Sequence, residues 1–460
     1  MFLRPRTPVT RTIRVTPAFL LATILLSAGL PTAAPAQEEP PAAAAATTDE
    51  NAPLLDPLVL NPDLWEASSE GFVAANKHLG FRWNSVDKES AQTTRKGATC
   101  FGLPVCQTVI RMNEGKATEA MLLFYNRGDM GEISRNDYEN LIEKATEAIS
   151  AATGVPMTAR GRDASSAVKA DGRLWQTEKS TFLLEYSAVK EEKARGVPFR
   201  AEFIRLEVTP KEEPKTAVQL LQEKKEPFNP ASHVRRDLAS GDVEIEGIPM
   251  VDQGPKGYCV VASAERVFRY FERKVDANEL AQLANSSADE GTNVQAMTDS
   301  LKSLTARLKI RVRVLIEIEY NETVKMLEEY NRNAKRAKKP DVPMWGSNVS
   351  LTDVYARMDP DVLRTTRTKS KAPITRFERL VKTQIDKGLP LMWSVMLGVM
   401  PESKRTSQTV GGHMRLITGY NTKTGDLIYS DSWGLGHESK RMPLVDAWCI
   451  TKGLASVEPF

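Results

Sequence analysis

Gln253-Gly254-Pro255-Lys256-Gly257-Tyr258-Cys259-Val260-Val261-Ala262-Ser263 is the stretch on which the reading of this chain turns. Two glycines and a proline make a tight loop. The residues that follow have the apolar periodicity of a helix, predicted over Ala262–Glu272. Cys259 thus falls at the predicted N-terminus of that helix, where unpaired N–H groups and the helix dipole favour a thiolate.

Far downstream lie Gly411-Gly412-His413 and Asp431-Ser432-Trp433-Gly434. His413 precedes the strand-like Arg415–Tyr420, so a rigid sheet would hold it. An imidazolium there would lower the thiol pKa further. Histidine needs an orienting acceptor that fixes its tautomer. Asp431, just after the strand predicted at Leu427–Ser430, is the candidate, with Trp433 as a cover that excludes water. Gln253, six residues before Cys259, offers a side-chain amide that, with the Cys259 backbone N–H, could meet a developing oxyanion. Each residue also has a bland reading. Cys259 would be a buried helix cysteine, His413 a core histidine, Asp431 a turn or cap residue, and Gln253 a loop residue. His437 is the one rival base in the region.

Together these islands resemble the papain family. In that pattern Gln stands six before Cys and Ser four after it, as Gln253, Cys259 and Ser263 do. Gly412-His413 resembles the family's Gly-His, and Asp431-Ser432-Trp433-Gly434 its Asn-Ser-Trp-Gly. Leu389–Val395 resembles the strand before the family's histidine. The 154 residues from Cys259 to His413 are close to the family's usual roughly 130–150. Lys256 stands where the family often has a disulfide cysteine, Val260 replaces a tryptophan, and Asp431 replaces the usual Asn. The resemblance covers about half the chain. It implies a two-lobed α+β cysteine peptidase domain, with a helical lobe and then an antiparallel sheet lobe. It also implies peptide hydrolysis through Cys259, His413, Asp431 and Gln253. Two alternatives use the same residues: acyl transfer to an amine, and a catalytically silent binding module.

Residues 1–36 read as a secretory signal. Arg4, Arg6, Arg11 and Arg14 precede an apolar run of 13 residues, Ala18–Leu30, and Ala34-Pro35-Ala36 is a small-x-small cleavage site before Gln37. That run is short for a bilayer span, so a secreted or periplasmic protein without stable membrane insertion is expected. The chain has 62 Lys+Arg and 59 Asp+Glu. Without the signal's four arginines the balance is 58 to 59, which gives no support for nucleic-acid binding. The expected partner is a protein or peptide substrate. No cofactor or metal is expected, since no histidine pair has ligand spacing and no phosphate-binding or dinucleotide fingerprint is present.

The predicted organisation is a low-complexity linker at 37–52, a smaller α+β accessory or pro-domain at 53–210, a polar connector at 211–240 and the peptidase domain at 241–460. The first domain reads roughly β-β-α-β-β, with a helix capped by Ser134 and stopped at Gly154. Cys100 and Cys106 are close enough in sequence to close a small hairpin disulfide, and they could equally be two free thiols.

Overall fold

The computed structural model describes residues 52–161, 167–212, 227–254, 257–286, 294–303, 305–344, 346, 349–402 and 409–460. The predicted signal and almost all of the linker lie outside them. So do residues 213–226 of the Lys/Glu-rich connector. Residues 48–460 form one compact unit with two hydrophobic cores.

The first core sits under an antiparallel sheet of eight strands. In sequence the strands are β1 (Arg82–Trp83), β2 (Ser90–Thr93), β3 (Thr99–Cys100), β4 (Leu103–Pro104), β5 (Gln107–Asn113), β6 (Lys116–Asn126), β7 (Thr158–Arg160), β8 (Asp171–Gln176), β9 (Ser180–Val189) and β10 (Arg200–Pro210). The sheet order is β1-β2-β5-β6-β10-β9-β8-β7, and β3-β4 is a separate hairpin. The helix Arg135–Thr153 covers one face. Its Ser134 side chain accepts from the Asp137 N–H, and Gly154 ends it at φ +68, a left-handed cap. The sequence reading found four of these strands and this helix; the remaining strands are short or polar. Cys100 and Cys106 are not joined to each other. Cys100 is buried in the core, and Cys106 Sγ lies 3.2 Å from the Leu123 carbonyl, so the possible disulfide is not formed.

The second sheet is built from β11 (Val234–Asp237), β12 (Asp242–Ile245), β13 (Ile310–Glu317), β14 (Leu391–Leu397), β15 (Gly411–Asn421), β16 (Asp426–Ser430), β17 (Lys440–Pro443) and β18 (Thr451–Pro459). Its order is β11-β12-β15-β14-β18-β13, with β16 joining β15 to β17. Helices Cys259–Tyr270, Ala277–Leu283, Val294–Ser303, Tyr320–Arg336, Leu351–Ala356, Pro360–Arg367, Lys371–Ile385 and Leu444–Ile450 accompany it. The expected α+β order, a helical segment and then an antiparallel sheet, holds in outline. β11 and β12 precede the helical segment, and β13 falls within it. The end of the expected connector forms β11, an edge strand whose Arg235 and Arg236 point to solvent and disguise it.

The first sheet and its flank are joined to the helix Ala277–Leu283 and its ends by buried polar groups. Arg205 of β10 pairs with Asp276, and its second nitrogen lies 3.1 Å from Glu279. Arg127 donates to the Ser286 carbonyl at 2.5 Å, and Asn126 Nδ2 to Asn278 Oδ1 at 2.7 Å. Such contacts make the interface demanding, because a partner lost from a buried pair leaves an uncompensated charge. The two halves also meet closely at Gly128, where an added Cβ would lie 2.0 Å from the Tyr258 hydroxyl. Tyr258 immediately precedes Cys259. Gly128→Ala is therefore expected to destabilise the chain by about 1–3 kcal/mol through overpacking, read as a lower urea midpoint at unchanged slope.

Candidate active site

The helix Cys259–Tyr270 begins at Cys259 itself. Ten of its twelve residues are buried, so it is a core helix whose first turn points at the second sheet. Ser263, one turn on, sits 3.3 Å from Ser432 Oγ. Arg266, two turns on, is fully enclosed. Its Nε donates to the Pro249 carbonyl at 2.9 Å, one terminal nitrogen to the Asp431 carbonyl at 3.0 Å, and the other to Ser430 Oγ at 2.7 Å. One guanidinium thus ties the helix to the strand end that carries Asp431.

His413 is the third residue of β15 and pairs with Val395 of β14. On the other edge of β15, β16 runs antiparallel with Leu416 opposite Ser430, which brings Asp431 alongside. His413 Nε2 lies 3.3 Å from Asp431 Oδ1, and both side chains are wholly buried. The contact is an ion pair rather than a linear hydrogen bond, since neither ring nitrogen meets a well-aligned partner. Trp433 lies flat over the imidazole, with ring centroids 4.2 Å apart and planes within 2°. The turn after it closes through His437, whose N–H donates to Gly434 and whose carbonyl accepts from Asp431 N–H. His437 therefore serves the site through its backbone.

The electrostatics of the three residues are mutual. Burial pushes the half-buried Cys259 thiol up, but the facing His413 imidazole and its charge, with the Met414 and Val260 backbone groups, outweigh it and leave the pKa lowered. Burial pulls His413 down, and Asp431 and Cys259 more than reverse that, so its pKa is raised. Burial works against the Asp431 carboxylate too, but Arg415, His413 and Lys440 hold it far below the usual range. A lowered thiol facing a raised imidazole favours the thiolate–imidazolium form.

Asp431 has partners that sequence reasoning missed. Arg415 Nε donates to Oδ1 at 2.7 Å, sharing that oxygen with His413, and Lys440 Nζ donates to Oδ2 at 2.9 Å. Both cations also reach Glu402, Arg415 at 2.8 Å and Lys440 at 3.2 Å. Two carboxylates and two cations make a buried cluster of zero formal charge beside the imidazole. A signal existed for Arg415, which is two residues from His413 on one strand and so on the same face.

Gln253 is buried, and its backbone N–H donates to the Ser432 carbonyl at 2.9 Å. The loop before the cysteine is thereby fastened to the turn after Asp431. Among the described residues no His/Cys/Asp/Glu group could hold a metal ion, and no helix is long and apolar enough to cross a membrane.

Residues 245–456 match the model of the Peptidase_C39 like family. That match, over just under half of the chain, supports a papain-like cysteine peptidase domain there. No curated protein matches the chain. A similar solved structure is that of xylellain, a cysteine protease from Xylella fastidiosa, 14% identical over 54% of this chain and 95% of that one. Its TM-score of 0.26 lends that likeness no weight of its own. An apolar cavity of about 670 Å³ lies within the peptidase domain. Val260 and Met414, the residues that follow Cys259 and His413, line it with Met297, Leu301 and Met392.

Lys440→Met would remove one cation from the Asp431 carboxylate. The more fully charged carboxylate then stabilises the imidazolium, so the His413 pKa is expected to rise. With four histidines in the chain, NMR titration of histidine-labelled protein reads this directly, and a fall in the His413 pKa would contradict the charge balance described.

Proposed function

We propose that the chain is an exported cysteine peptidase that hydrolyses peptide bonds in protein or peptide substrates through Cys259, His413 and Asp431. The Cys259 thiolate attacks the scissile carbonyl carbon, and the carbonyl π electrons move to oxygen. The Gln253 side-chain amide and the Cys259 backbone N–H hold that oxyanion. The His413 imidazolium gives its proton to the leaving amine as the C–N bond breaks, leaving an acyl-enzyme. His413 then takes a proton from water, the resulting hydroxide attacks the thioester, and the thiolate leaves with the product acid released. Asp431 orients the imidazole and offsets its charge.

The observation that carries this reading is the meeting of Cys259, His413 and Asp431. They come from a helix start, a strand and a strand end far apart in sequence, and the shifts of thiol and imidazole run in opposite directions. The cavity beside Val260 and Met414 favours substrates with an apolar side chain near the scissile bond.

A papain-class epoxide should add once to the signal-free protein by intact mass, and not to Cys259→Ala or His413→Ala. Cys259→Ala should lower kcat/KM on a susceptible peptide by at least about 10⁴-fold. Retention of full hydrolysis by that variant would exclude the mechanism. Export through residues 1–36 makes a separate prediction: the protein recovered from a bacterial periplasm should begin at Gln37 by mass, whereas an uncleaved N-terminus would refute the signal.

A further inference from the structure

The role of the N-terminal half is not explained by the peptidase reading. It touches the catalytic half at the loop that leads to the nucleophile. Asp252, next to Gln253, is the point of contact. Its Oδ2 accepts from an Arg82 terminal nitrogen at 2.9 Å and from Gln92 Nε2 at 2.7 Å. Arg82 and Gln92 sit on β1 and β2, the edge of the N-terminal sheet. Gln92 is buried, and its own oxygen accepts from Gln107 Nε2 at 3.0 Å, which fixes which way its amide points. The other Asp252 oxygen accepts from the Gly254 N–H at 2.9 Å. Asp252 thereby spans Gln253 from below, gripping the residue after it. It also packs on the turn that follows Asp431, where a Cβ on Gly434 would lie 3.0 Å from Oδ2.

The other flank of the loop is held in the same way. Tyr258 is buried against Gly128, and its hydroxyl lies 3.5 Å from Asn126 Oδ1. The N-terminal half therefore grips the residue before Gln253 and the residue before Cys259. Among the described residues it contributes none to the lining of the apolar cavity beside Val260 and Met414. An inhibitory segment would be expected to fill such a cavity. This half instead braces the loop from behind.

We propose that the N-terminal half is a built-in part of the catalytic unit, and that Asp252, clamped by Arg82 and Gln92, is a positioning residue that sets the Gln253 amide for the oxyanion. This rests on the peptidase reading and on Gln253 as the oxyanion donor. An amide aimed at the oxyanion acts only in the transition state, so its misplacement lowers kcat and spares substrate binding.

The test uses the full signal-free chain and two readouts. Iodoacetamide alkylation of Cys259 reports the thiol–imidazole pair and needs no oxyanion donor. Hydrolysis of a peptide substrate needs both. Gln253→Ala sets the size of the oxyanion loss, of the order of 10²–10³-fold in kcat. Asp252→Ala and Arg82→Ala should lower kcat in the same direction, with Arg82→Ala the smaller loss. KM and the alkylation rate should stay near those of the parent protein, and Asp252→Asn should recover part of the loss. Arg82 is half-exposed, so its variant keeps the test open if Asp252→Ala does not fold. Unchanged kcat in Asp252→Ala and Arg82→Ala overturns the proposal. So does a fall in alkylation that matches the fall in kcat, which would mean general damage to the site. A parent protein that is alkylated but turns over no peptide fails the peptidase reading itself, and the proposal with it.

Discussion

One buried guanidinium holds the site together. Arg266 lies two turns along the helix from Cys259, with no bulk water to solvate it. It spends its donors on the Pro249 carbonyl, the Asp431 carbonyl and Ser430 Oγ. Burial, only partly offset by Asp431 and Glu438, pulls its pKa down to about 10. A group at such cost persists only if every donor finds an acceptor. The three acceptors come from the segment before the Gln253 loop and from the end of β16. The helix, the loop and the strand end cannot drift apart without leaving Arg266 stranded. Cys259, His413 and Asp431 thus sit on rigid elements, and that is the condition for holding groups that must react to within a fraction of an ångström.

The second organising constraint is charge balance around Asp431. An aspartate where the resemblance leads one to expect asparagine brings a full negative charge into a dry site. Arg415 and Lys440 answer that charge, and Glu402 answers theirs. The cations take the two strong, short contacts, and the imidazole is left the longer one at 3.3 Å. Asp431 therefore meets His413 with its charge already shared, closer to the behaviour of a neutral acceptor than an isolated carboxylate would be. Trp433, stacked face-on, keeps the imidazole plane from turning away.

Much of this was legible in the sequence, and what was not has physical reasons. The strand Leu391–Leu397 and the helix capped by Ser134 and Gly154 were readable from periodicity and capping residues. Cys259, His413, Asp431 and Gln253 stood out because their flanking residues resemble a known pattern. Strands β11, β12 and β17 were invisible, since each has only four residues and carries charges on its outer face. The partners of Asp431 were hidden for a different reason. Lys440 reaches it only because β16 and β17 pair in one register, Tyr429 opposite Lys440. Register is a property of the folded sheet, and a one-residue slip would turn Lys440 to the other face. Likewise the bond from Arg82 to Asp252 joins residues 170 apart and has no local signature.

The distance in sequence between the nucleophile and its partners also bears on when the site comes into being. Cys259 emerges from the ribosome 154 residues before His413, and Asp431 follows later still. Until β15 and β16 have formed and β14 has paired with β15, the thiol lacks the imidazole that lowers its pKa. Domains tend to fold as units in the order they are made, so the N-terminal sheet can be complete while Cys259 is still an ordinary, mostly protonated thiol. Reactivity is the last property the chain acquires. A nascent or partly folded copy thus carries Cys259 without the His413 imidazole that lowers its pKa.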